Sequence, residues 1–215
     1  MFNHSTVEFL QQLALNNNRE WFNAHKAEYQ QQVLFPTQDF ADKVAEQLRH
    51  ISAYPLESKI FRINRDIRFS KDKTPYHAYT RVGFYYHKNP CSPGFYFSIE
   101  NNQIICGAGL FQFEKAQLFQ YQQAVIDDIR GAQLEKILAG LIDGYELRYI
   151  EKYKKIPCGL TTDFARSELL KNKGMALWHH QSIKLDYSWD NLAAEVLTHY
   201  KNLLPLFNWL AENLT

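Results

Sequence analysis

Cysteine is scarce in this chain of 215 residues: Cys91, Cys106 and Cys158 are odd in number and widely spaced. Such a set offers neither a disulfide framework nor the Cys-x-x-Cys spacing of a structural zinc site, and it suits a reducing compartment. No apolar run approaches the ~20 residues that cross a bilayer. The amino-terminal stretch also lacks a basic region followed by an apolar core, so a cytoplasmic protein with no membrane contact is expected. Excess charge of one sign is missing as well. Lys and Arg number 24 against 23 Asp and Glu, a net +1, which excludes a surface that holds polyanions through a field spread over the whole molecule. Repeats, low-complexity tracts and a linker rich in Gly, Pro or Ser are absent too. At this length one domain, residues 1–215, is the expectation.

What is present is core-forming material: 46% hydrophobic and 15% aromatic residues, dominated by Phe and Tyr. The pattern reads as an α+β protein. Its mainly antiparallel sheet, a meander near 81–110, is packed with amino-terminal and carboxy-terminal helices. Ser5-Thr6-Val7-Glu8 is a capping-box pattern opening a first helix to about 15. A second helix is expected over 19–34, and Pro36 fits the first turn of a third, to about 50. Alternation marks strands at 81–87, 95–100 and 103–110. The turn Asn101-Asn102 joins the last two, setting Glu100 opposite Gln103 and Phe97 opposite Cys106. Phe95, Phe97, Ile99, Ile104, Cys106 and Ala108 then share a core face. Tyr96, Ser98, Glu100, Gln103, Ile105 and Gly107 share a mixed face able to carry a site. Helices follow at about 114–129, 131–141 and 163–171. A strand is expected at 177–185, and 145–154 alternates as a strand would. The last helix, 189–214, is bent or split by Pro205.

Charge is concentrated in one place. Residues 59–81 hold Lys59, Arg62, Arg65, Arg68, Lys71, Lys73 and Arg81 against Asp66 and Asp72, a local excess of five, so the remainder sums to about −4. At strand period, Phe61, Ile63, Arg65, Ile67 and Phe69 form one row, and Arg62, Asn64, Asp66 and Arg68 the other. A guanidinium in an apolar row needs a carboxylate partner, an exit to water or an anionic ligand, because burying it unpaired costs several kcal/mol. Arg62 and Arg68 flanking Asp66 suit one anion shared by two forks. Three readings stay open: an ion-pair network that braces the sheet, a site for phosphate or carboxylate, and a solvated charged edge.

The pattern Arg-x-x-Arg-Asp-x-Arg-Phe over residues 62–69, followed by Asp72-Lys73 and Tyr76, resembles the signature of an uncharacterised bacterial family, domain of unknown function 2461. Asn17-Asn18-Arg19-Glu20-Trp21-Phe22 with His25 and Tyr29, Gly94-Phe95-Tyr96-Phe97, Gly107-Ala108-Gly109 and Lys155-x-Pro157-x-Gly159 add to the resemblance. Cys158 and Leu160 stand where the family pattern has a basic residue and Phe. The resemblance covers nearly the whole chain. It implies a fold of this length and a hot spot at 62–76, without an activity or a cofactor.

Other constellations are weaker. Gly107-Ala108-Gly109 lacks the third glycine of a dinucleotide fingerprint, where Gln112 stands, and is better read as close backbone approach. Ser70-Lys71-Asp72-Lys73 matches Ser-x-x-Lys without its companion motifs. His179-His180 point to opposite sides of a strand. A metal held by Asp66, Asp72 and Glu100 is opposed by the neighbouring cations, so no metal is assigned. Two function classes result. The first is a pocket for a phosphate- or carboxylate-bearing small ligand, centred on Arg62, Arg65 and Arg68 with Lys73 and Tyr76 at its rim. Asp66 or Glu100 is its candidate acid/base, Lys73 its electrostatic clamp and Tyr76 its proton donor. The second is a noncatalytic docking surface for a partner or nucleic acid, with Phe69, Tyr76, Tyr79, Phe84 and Tyr85 as stacking rings.

Overall fold

The computed structural model describes residues 1–86, 89–141, 144–148, 151–157, 159 and 163–214. Cys158 and Leu160, His87 at the end of the strand expected over 81–87, and Tyr149 within 145–154 lie outside the described residues. β2 (Tyr79–Tyr86), β3 (Gly94–Glu100) and β4 (Gln103–Leu110) form the expected antiparallel meander. Asn101 and Asn102 take φ 50° and 59°, the left-handed pair a two-residue hairpin turn needs and asparagine tolerates. Glu100 consequently faces Gln103 and Phe97 faces Cys106. β1 (Leu56–Ile60) lies on the outer side of β2. β6 (Met175–Ser182) pairs with β4, and β5 (Tyr145–Arg148) closes the far edge, giving the order β1-β2-β3-β4-β6-β5.

Val82, Phe84, Phe95, Phe97, Ile99, Ile104, Cys106 and Ala108 alternate onto one face, and all are buried in one hydrophobic cluster. α1 (His4–Leu15), α4 (Phe35–Ile51) and α8 (Leu192–Leu214) pack against this face. Phe40 lies 4.1 Å from Phe97 between ring centroids, and Phe207 lies 4.8 Å from Phe95. The buried Tyr200 hydroxyl donates to the Tyr96 carbonyl at 2.9 Å, tying α8 to β3. Burial pushes the Cys106 thiol up to about 12, so this cysteine is a packing residue rather than a nucleophile. α8 runs unbroken through Pro205. α5 (Lys115–Ile126), α6 (Asp128–Ala139) and the short α7 (Ser167–Leu170) gather at its carboxy-terminal half, where Tyr121 meets Trp209.

The helix expected over 19–34 is divided into α2 (Arg19–Ala24), α3 (Lys26–Tyr29) and a wider π turn at Gln30–Leu34. His25 makes the first break: its ring stacks on Trp21 at 4.2 Å, and its Nδ1 lies 2.8 Å from the Trp21 carbonyl. Pro36 explains the second irregularity. It lies in the first turn of α4, as expected, although the chain enters that helix already in helical geometry at Leu34. Proline has no N–H for the carbonyl four residues back, at Gln32. The Thr6 hydroxyl supplies the missing donor at 2.6 Å, fixing α1 to this turn.

The opposite face of the sheet is paved with rings laid over glycine. A methyl group added to Gly83 would fall 2.2 Å from the Tyr85 ring, and one on Gly107 would fall 2.9 Å from the Trp178 ring. The bare backbone at these positions is what lets Tyr85 and Trp178 lie flat. Tyr96 sits between them, 5.6 Å from Tyr85 and 5.5 Å from Trp178.

Candidate functional site

β1 ends where the charged segment begins, so the strand expected over 61–69 is corrected. After the ladder bond from the Phe61 N–H to the Arg81 carbonyl, the chain leaves the sheet and returns on itself. Asn64 and Tyr76 form an isolated antiparallel bridge, flanked by bonds from Arg65 N to Pro75 O (2.9 Å) and from His77 N to Ile63 O (2.7 Å). The segment is therefore a narrow-necked hairpin whose tip spans residues 66–74.

The physical reason is that its charges pair within the segment. Arg65, with 21% of its side chain exposed, donates to the Asp72 carboxylate at 2.5 Å, to the Thr74 hydroxyl, and to the Thr74 carbonyl at 3.1 Å. The Thr74 N–H first, then Arg65 and the Thr74 hydroxyl, all donating to Asp72, hold its carboxyl down at about 2. Arg68 grips Asp66 with Nε at 2.9 Å and Nη2 at 2.6 Å, and this bond lowers the Asp66 pKa. Lys73 Nζ donates to the Ile67 carbonyl at 3.0 Å. An extended strand would hold Arg65 from Asp72 and Thr74, and Lys73 from Ile67, whereas the hairpin brings them together.

The neck is anchored from a distant part of the chain. The Asn17 side chain donates to the Tyr76 carbonyl at 2.8 Å and accepts from the Tyr76 N–H at 3.0 Å. Asn18 caps α2 by accepting from the Trp21 N–H, and Phe22 on that helix stacks on the Tyr76 ring at 4.1 Å. Tyr76 is left 7% exposed.

Where the hairpin rejoins β2, a different group of side chains meets. His77 stacks on Tyr79 at 4.6 Å, and the Arg81 guanidinium lies 4.4 Å from the Tyr79 ring. Arg81 also approaches Glu100 at 3.5 Å. Burial first, and then the fields of Arg65, Arg81 and Arg62, hold the His77 pKa below the ordinary histidine value. Arg62 is exposed, and among the described residues no hydrogen bond or ion pair holds it. The neighbourhood is thus a cluster of guanidiniums around a half-buried imidazole, with Glu100 as its counter-charge.

Over residues 5–209 the sequence matches the family described as Conserved hypothetical protein (DUF2461). The chain belongs to this family. No curated protein matches it. In this DUF2461 chain two of the stretches that carried the resemblance share one local structure: residues 17–22 hold the neck of the hairpin that residues 62–76 build.

The structure divides the candidate residues. Arg65, Arg68, Lys73 and Asp66 are engaged inside the hairpin, Tyr76 is packed under Phe22, and Arg62 and Glu100 flank the His77–Arg81 cluster. Of the five rings considered for stacking, Phe84, Tyr85 and Tyr76 are buried, Tyr79 is half-buried, and Phe69 stands 96% exposed at the hairpin tip. His77 was not singled out in the sequence, and Arg81 counted only toward the basic patch. The available signal was register, since Arg81 and Tyr79 fall on the same sheet face as Ser98 and Glu100. Among the described residues no three His, Cys, Asp or Glu side chains are grouped to hold a metal, and no helix is long and apolar enough to cross a membrane.

Proposed function

We propose that this protein binds a small phosphate- or carboxylate-bearing molecule where the hairpin neck meets β2 and β3, with Arg62 and Arg81 as its anion contacts. The observation that carries this reading is the gathering of Arg62, Arg65 and Arg81 around His77 beside the carboxylate of Glu100. An entering anion replaces Glu100 on Arg81 and relieves the mutual repulsion of the guanidiniums. Arg65 has a positioning role, because its hydrogen bonds are already spent on Asp72 and Thr74. Glu100 is the acid/base candidate that stands beside this site, whereas Asp66 is held in the fork of Arg68.

Titration with inorganic phosphate and with acetate tests the reading. Arg81→Ala is expected to weaken binding by about 10- to 100-fold, the loss of a hydrogen bond to a charged group worth about 1.5–3 kcal/mol. Glu100→Gln is expected to tighten binding by removing the competing carboxylate. Equal affinity in wild type, Arg81→Ala and Glu100→Gln would reject the site.

A second reading has its own observation. Phe69 projects bare between Arg68 and Lys71, a tip suited to docking on a nucleic acid or an acidic partner. Affinity for a long oligonucleotide that falls steeply with salt, and that is lost in Phe69→Ala but retained in Arg81→Ala, would favour it.

A further inference from the structure

Resting on that anion reading, we infer that the ligand is an oxyanion on a hydroxylated chain of five or six carbons, whose oxygens reach the hydroxyl of Ser98 and the indole N–H of Trp178 on the ring-paved face. Ser98 is 3% exposed and its Oγ has no hydrogen-bond partner; the Trp178 Nε1 is likewise buried and unpartnered. Buried polar groups are ordinarily paired, so two on one face point to a missing partner. Both lie beyond Arg81 along the sheet. Ser98 is the register partner of Arg81 on β3, and Trp178 is the register partner of Gly107 on β4, with its ring laid over that glycine. Ser98 and Gly107 are diagonal neighbours on adjacent strands, since Ser98 faces Ile105 two residues before Gly107.

The chemistry of the two groups narrows the class. An indole N–H donates and never accepts, and a serine hydroxyl can donate as well. The ligand must therefore present an acceptor at the indole and an acceptor or a donor at Ser98, which hydroxyl groups do and a hydrocarbon tail does not. The Tyr96 hydroxyl is already committed to the Gly109 carbonyl at 3.1 Å, so it does not fill this role. From Arg81 on β2 across β3 to the indole above β4 is two strand spacings across and two residues along, about 12 Å. That is the span of a sugar phosphate or a sugar acid with its anionic end at Arg81.

Calorimetric titration with two matched pairs, inorganic phosphate with ribose 5-phosphate and acetate with gluconate, tests this. In at least one pair the hydroxylated member is expected to bind about tenfold or more tightly, a gain of about 1.4 kcal/mol. Ser98→Ala and Trp178→Phe each shrink that preference, while ligand-free Ser98→Ala melts no lower than wild type, because the hydroxyl removed had no partner. If both members of each pair bind equally, or if Ser98→Ala melts several degrees lower, the inference falls and the anion site stands. If none of the four probes binds, the anion reading falls with it.

Discussion

Removing one side chain, that of Asn17, is expected to loosen the whole charged hairpin. Its amide acts as a substitute strand, meeting both the N–H and the carbonyl of Tyr76 across 59 residues of sequence. Two such bonds are worth about 1 kcal/mol each, net of their exchange with water. Asn17→Ala should therefore cost about 2 kcal/mol, with no large cavity term, since Asn17 is only half-buried. For a chain of this size that lowers the melting temperature by about 4–8 °C. Asn17→Asp is the sharper probe. It keeps an acceptor for the Tyr76 N–H but turns a carboxylate oxygen toward the Tyr76 carbonyl, so at neutral pH it should be at least as damaging as alanine. That contact raises the folded-state pKa of the new carboxyl above its unfolded value of about 4. Relative to wild type, the deficit should therefore shrink as pH falls through the raised value, where a protonated carboxyl donates as the amide did. Urea unfolding at several pH values supplies the free energies, and hydrogen exchange at the His77 amide reports the neck directly. An Asn17→Ala variant within about 0.5 kcal/mol of wild type, or an Asn17→Asp variant indistinguishable from it at pH 7, would refute the clamp.

Acid should destabilise the fold partly through His77 and His199. Burial is the first cause that lowers both, followed by arginine fields at His77 and by His179 at His199. Their stabilising contribution is complete above the unfolded histidine value of about 6.5 and is lost as pH falls toward the lower folded values. The double variant His77→Gln, His199→Gln should flatten the urea-stability profile between about pH 7 and pH 5, and an unchanged slope would contradict this. Tyr200→Phe leaves the buried Tyr96 carbonyl without its hydroxyl donor, so chemical unfolding should show a loss of about 1–2 kcal/mol. Gly83→Ala drives a methyl into the Tyr85 ring; a cost of about 1–3 kcal/mol is expected, read in the same assay and by a shift of the Tyr85 ring resonances.

How far the fold was legible depended on whether a signal was local. Alternation in β3 and β4 and the Asn101-Asn102 turn specify the meander and its register, because a two-residue hairpin leaves no freedom to slip. Alternation failed over 61–69, where Arg65 bonds Asp72 seven residues on and Arg68 bonds Asp66 two residues back. One strand cannot make the Arg65–Asp72 bond within itself, since residues seven apart lie on opposite faces and far apart along it, and no period-2 count detects that bond. Glu100 and Ser98 were placed on a mixed face by register alone. Their neighbours were not legible, since the row Arg81–Ser98–Ile105–His180 draws on four strands with a long excursion before β6. Arg166 was missed for a similar reason. It is 8% exposed and donates to the Val125 carbonyl at 2.7 Å, with Glu135 and Asp128 nearby, a helix-end contact that nothing around it in sequence announces.

If the proposed anion site holds, the hairpin and that site divide the charges of one segment between two tasks. Arg65, Arg68 and Lys73 have partners within nine residues, and those bonds decide the shape of the loop. Among the described residues Arg62 has no such partner, and the carboxylate that meets Arg81, on β2, is Glu100 at the longer distance of 3.5 Å. A guanidinium bound to a carboxylate at 2.5 Å gains little by exchanging it for a ligand oxyanion, while one at 3.5 Å gains a charge-assisted hydrogen bond. Substitutions at Arg65 and at Arg81 should therefore differ in kind. Loss of Arg65 releases the tip and is felt in stability and hydrogen exchange around 65–75. Loss of Arg81 leaves the hairpin bonded as before and is felt in anion affinity. The density of arginine in the signature is thus a poor guide to which arginine is open to an anion, and the partner each one already holds is a better one.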